Sequence, residues 1–263
     1  MPTIIESTQV EIMPIEINKP WSAKATLGLT LLIFILYFII SIIVLGIAAG
    51  IEVTSSGLNS ENTLDLGASI SQQLALDGDF NAINYMLTAL CLSPLIFYFA
   101  KRKKITTAAA YLGFDKRPNR STFINFNLAI LAYFIFSYFA SSALAIETPQ
   151  SMISIYNSTD YLWLLFIAVV IIAPIFEELL FRGFIYKGLE SSSFGIVGTI
   201  IITSVLFTMI HSGQYDLSIL LILFPLAVII GLSRYRSGGI YLPIYLHFVN
   251  NLYSAVHMYL FMN

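Results

Sequence analysis

Glu177 and Glu178 are adjacent carboxylates in residues 163–183, a segment otherwise composed almost entirely of apolar side chains. A carboxylate in hydrocarbon is costly, so its presence there marks function. Helix geometry separates the two. Glu178 and Arg182 stand at i and i+4 and can pair on one face. Glu177 is turned from Glu178 by roughly 100° and is left free to titrate. His211 is the next ionisable group. The turn between its helix and that of the glutamates is read at 191–195, and Glu177 and His211 lie equally far from Phe194 on its two sides. With equal rise per residue, an antiparallel hairpin brings them to one depth. His247 and Asn251, again i and i+4, share a face of a later helix whose first turn holds Pro243. Asn250 points elsewhere, and His257 lies near the far end of its helix and matches nothing. A desolvated glutamate suits a general base. Glu177 with His211 can hold and deprotonate a water, and His247 with Asn251 can donate hydrogen bonds to an oxyanion. The same residues suit a second chemistry: Glu177, His211 and His247 are a two-histidine, one-glutamate zinc set.

The elements that must position these groups are membrane helices. Of 263 residues, 57% are hydrophobic and only 11% charged, against about a quarter charged in soluble domains; the mean hydropathy is +0.82. Crossing a bilayer takes about 20 apolar residues. Seven such stretches are read at 26–51, 82–100, 123–146, 161–189, 196–213, 217–233 and 241–261. Strand-type alternation is absent, which argues against a β-barrel. The expected fold is an all-α, polytopic bundle. The first apolar run is too long for a signal peptide and follows a polar segment carrying Glu6, Glu11 and Glu16. Cys91, the single cysteine, excludes an intramolecular disulfide.

All 13 Lys and Arg fall in alternate connections: Lys19 and Lys24; Lys101 to Lys104, Lys116, Arg117 and Arg120; Arg182 and Lys187; Arg234 and Arg236. The other connections carry Glu52, Glu61, Asp65, Asp77, Asp79, Glu147, Asp160 and Asp216 without a basic residue. The positive-inside rule then puts the N-terminus in the cytoplasm. The expected organisation is a cytoplasmic tail at 1–25, N-terminal transmembrane helices at 26–150 and a catalytic core at 151–263, with a short surface helix at 61–77. No repeat and no nucleic-acid signature is visible.

Glu177-Glu178-x-x-x-Arg182, Phe207-x-x-x-His211 and His247-x-x-x-Asn251, in this order on successive helices, resemble the three motifs of the CPBP intramembrane proteases. That family contains CAAX prenyl endopeptidases, bacteriocin-processing enzymes and abortive-infection (Abi) proteins. The resemblance covers about 160–255. It implies an intramembrane endopeptidase in a bacterial plasma membrane, open toward the cytoplasm, acting on a peptide or protein substrate, lipidated or not, among membrane lipid. By the same resemblance, Glu177 and His211 activate the water, His247 and Asn251 stabilise the oxyanion, and Glu178 and Arg182 complete the first motif. The family has been described both with zinc and without a metal; Asn251 favours the metal-free form, being a poor zinc ligand and a good oxyanion donor. Two rival readings are a non-catalytic bacteriocin self-immunity or partner-binding protein and a proton-coupled transporter.

Overall fold

The computed structural model describes residues 19–55, 63–103 and 106–261. Residues 1–18 of the expected tail, residues 56–62 of the loop after the first span, and Lys104 lie outside the described residues. All described regular structure is helical: α1 (Ala23–Ser55), α2 (Thr63–Ala75), α3 (Gly78–Arg102), α4 (Ala108–Leu112), α5 (Arg120–Ala143), α6 (Gln150–Asn157), α7 (Leu162–Leu189), α8 (Gly195–Met209), α9 (Leu217–Ser237) and α10 (Tyr241–Phe261). The expected surface helix at 61–77 is α2.

Each of the seven apolar stretches coincides with a helix. Five of these, α1, α3, α5, α7 and α9, are long and apolar enough to cross a membrane. α8 is apolar but has only 15 residues, and α10 is interrupted by His247, Asn250, Asn251 and His257. The chain is an integral membrane protein. Its outer helices show why: α1 buries Thr26, Thr30 and Ile33 at helical spacing, while Leu31, Phe38, Ile42 and Ile47 stay exposed. Such a surface is tolerable only against lipid.

Local chemistry sets the helix ends. Asp77 caps α3 through its carboxylate and the Phe80 N–H, 2.7 Å, and Asn119 caps α5 through Thr122 N–H, 2.8 Å. α9 stops at Gly238, whose φ of +68° a side chain would resist. The connections gather into two groups. At one end, Trp21 Nε1–H donates to the Phe99 carbonyl at 3.0 Å, Lys103 lies over the Trp21 ring, and the Ile240 N–H donates to the Gly113 carbonyl at 2.9 Å. At the other, the Asp79 carboxylate accepts from the Thr159 hydroxyl and from the Asp160 and Tyr161 N–H groups at 3.0–3.1 Å, anchoring the start of α7 to α3.

α7 is the central helix. It packs against α1, α3, α4, α8 and α10, and Leu179 to Tyr186 are all buried. Phe176, Leu180, Phe181 and Phe184 of α7 share one core with Ile33 of α1, Leu92 and Ile96 of α3, Leu112 of α4 and Phe207 of α8. α7 is not a uniform α-helix. It passes through π turns at Ile167–Ile172 and Leu179–Ile185, where the Ala173 N–H reaches back to the Ala168 carbonyl and the Tyr186 N–H to that of Phe181. Each π turn accommodates an extra residue and rotates the remainder of the helix about its axis.

α1 approaches α7 closely at Gly188, where a Cβ would overlap the Thr26 side chain. Small residues permit such contacts between membrane helices. Gly188→Val should therefore destabilise the protein by about 1–3 kcal/mol through overpacking, read as a lower thermal midpoint in detergent. Thr26→Ala in the same chain should restore part of the loss.

Candidate active site

The two glutamates have different surroundings. Glu178 is fully buried, and its Oε1 accepts from Arg182 Nη1 at 2.9 Å and from His247 Nδ1 at 2.8 Å. Arg182 is equally buried. Its Nη2 donates to the Ala227 carbonyl of α9 at 2.8 Å, and its own carbonyl accepts from Arg234 Nε at 2.8 Å. The guanidinium lies 4.8 Å from the centre of the Phe207 ring of α8, within cation–π range. One buried ion pair thus touches α8, α9 and α10.

Glu177 keeps 12% of its side-chain exposure. Its Oε1 accepts from the Tyr85 hydroxyl of α3 at 3.0 Å. Its Oε2 is buried with no hydrogen-bond partner and lies 3.9 Å from His247 Nε2, too far for a hydrogen bond. His247 therefore sits between the two carboxylates. Its Nδ1 faces the ion-paired Glu178, so Nδ1 is the nitrogen that carries hydrogen in the neutral ring, and Nε2 is the nitrogen turned to Glu177.

Counting along the hairpin places His211 opposite Glu177. The structure differs: among the described residues no hydrogen bond or ion pair joins them, and His247 occupies that position. Two causes are visible. The π turn at Leu179–Ile185, between Glu177 and the connection, breaks the assumption of equal rise per residue, and α8 ends at Met209 rather than at 213. His211 lies in the following turn with Nδ1 2.8 Å from the Phe207 carbonyl and its ring stacked on Tyr215 at 5.8 Å. Phe207 links the two imidazoles, with ring centres 5.0 Å from His211 and 5.4 Å from His247. Burial first, and the charge of Glu177 second, push the Tyr215 phenol above its ordinary range.

Asn251 shares a helix face with His247 as expected but is engaged: its Nδ2 donates to the Val169 carbonyl at 2.9 Å, and its Oδ1 accepts from Asn250 at 3.1 Å. The reason lies in α7. In the π register, the Val169 carbonyl would take the N–H of residue 174, which is proline and has none. Asn251 supplies the missing donor and keeps a second amide hydrogen for other use. The zinc set of Glu177, His211 and His247 is not brought together, and among the described residues no group of three His, Cys, Asp or Glu side chains is arranged to hold a metal. Tyr85, Pro174 and Val169 are the site residues that motif reading passes over. Tyr85 carries no signal of its own among 15 tyrosines, whereas a proline in the interior of an apolar helix does announce an unsatisfied carbonyl.

The profile of the type II CAAX prenyl endopeptidase Rce1-like family matches residues 159–253, the span from just before α7 into α10. This bears out the resemblance carried by the three motifs, over nearly the same residues. An uncharacterized 24.3 kDa protein of Escherichia coli is 31% identical over 122 residues, 45% of this chain and 56% of that protein; the chain thus spans little more than half of that relative's length. No solved structure matches the chain.

The geometry can be checked by two stability measurements. Glu178→Gln leaves Arg182 buried without a counter-charge and should lower stability by about 3–5 kcal/mol, seen in thermal unfolding. Asn251→Ala orphans the Val169 carbonyl and should cost about 1–3 kcal/mol. Pro174→Ala restores a backbone N–H at 174, so a double-mutant cycle should show the Asn251→Ala loss shrinking in that background.

Proposed function

We propose that the protein is an intramembrane endopeptidase in which Glu177 is the general base for peptide-bond hydrolysis. The observation that carries this reading is the carboxylate oxygen Oε2 of Glu177, buried, unpartnered and opposed to His247 Nε2, inside the segment that matches a peptidase family. A water beside Oε2 gives its proton to Glu177 as its oxygen attacks the scissile carbonyl. The C–N bond then breaks, and the proton passes on to the leaving amine. His247, tethered through Nδ1 to Glu178, turns Nε2 toward the reaction; when protonated, it donates to the oxyanion, assisted by the second amide hydrogen of Asn251. The motif resemblance assigns His211 to holding the water. The substrate in this reading is a peptide or membrane-associated protein, and the basic connections support a cytoplasmic N-terminus.

Comparing peptide termini in cells with wild-type and Glu177→Gln protein tests this directly. The variant keeps a side-chain oxygen for Tyr85 and should fold with an unchanged thermal midpoint, while a discrete set of termini disappears. Identical termini in the two strains, with the biological activity retained, would make the protein a non-catalytic binding factor.

A further inference from the structure

We propose that Tyr85 is a positioning residue for Glu177, selecting which carboxylate oxygen is presented to the reaction. Tyr85 belongs to α3, far outside residues 159–253 and outside all three motifs. Its hydroxyl donates to Glu177 Oε1 at 3.0 Å, and this is the one hydrogen bond that Glu177 receives among the described residues. The phenol is held from two sides. The Phe176 ring of α7 meets it edge-on at 6.3 Å, and the Tyr37 ring of α1 does the same at 6.3 Å. Phe176 is the chain neighbour of Glu177, so the element that carries the carboxylate also orients its donor.

The consequence concerns the symmetry of the carboxylate. A free carboxylate can turn and offer either oxygen. With Oε1 tied to Tyr85, Oε2 is left as the proton acceptor, and it is Oε2 that faces His247 Nε2 at 3.9 Å. Removing the hydroxyl leaves the carboxylate free to rotate and present either oxygen. The catalytic part of the inference rests on Glu177 being the base; the positioning part stands on the hydrogen bond.

The test uses the full chain in detergent with dicyclohexylcarbodiimide, which modifies protonated carboxyl groups in apolar surroundings. Labelling of Glu177 at one fixed pH is quantified by mass spectrometry of its peptide. Tyr85→Phe, which frees the carboxylate to turn either oxygen to the reagent, should raise the labelling rate about tenfold, the worth of one hydrogen bond to a carboxylate. Tyr85→Leu, which also lacks the hydroxyl, should raise it in the same way, and Tyr37→Phe, which removes a hydroxyl not bonded to Glu177, should not. Thermal midpoints identify any variant that has lost its fold. Unchanged labelling in folded Tyr85→Phe or Tyr85→Leu overturns the proposal, as does an equal rise in Tyr37→Phe. In cells, Tyr85→Phe should cut the yield of Glu177-dependent termini about tenfold. Raised labelling with no Glu177-dependent termini in the wild type would uphold the positioning role and remove the peptidase reading.

Discussion

A carboxylate fully withdrawn from water has to be met by a cation and by hydrogen-bond donors, and much of this bundle is arranged around meeting that demand for Glu178. The cation is Arg182, one turn further along the same helix. Arg182 in turn needs acceptors beyond Glu178, and it finds the Ala227 carbonyl on α9 and the face of Phe207 on α8. The second donor to Glu178 is His247 of α10. Breaking any of these contacts leaves a charge or a polar group in a medium that cannot solvate it. The relative positions of α7, α8, α9 and α10 are therefore constrained electrostatically, whereas the outer faces of α1 and α5 are constrained mainly by contact with lipid.

That constraint separates two tasks within one pair of glutamates. Glu178 is committed to structure and to fixing the hydrogen on His247. Glu177, one residue earlier and turned away, escapes Arg182 and is left with a single neutral donor. The division follows from helix geometry. It needs no difference in side-chain chemistry, since the two residues are of the same type.

Much of this was legible from residue types and spacing. The apolar stretches marked the helices, and the i, i+4 relation of Glu178 and Arg182 foretold their ion pair. The partners of Glu177 were not legible, for two physical reasons. Equal rise per residue is a property of regular helices, and a π turn at Leu179–Ile185 lies between Glu177 and the connection, so counting placed His211 where His247 stands. Tyr85 comes from α3, more than 90 residues away in sequence, and nothing in local spacing reports a contact made only by packing. The role of Asn251 was half legible: its face was right, but its attachment to the Val169 carbonyl depends on a π register that no residue pattern announces.

Pro174 has a mechanical effect beyond its local one. Because it denies Val169 a backbone donor, α7 cannot complete its own hydrogen-bond ladder and borrows a link from α10. Sliding the two helices apart would uncover a carbonyl in hydrocarbon, where no solvent can replace the lost bond. The first half of α7 and the middle of α10 are therefore joined by a bond that α7 cannot make for itself and that the surrounding medium cannot replace.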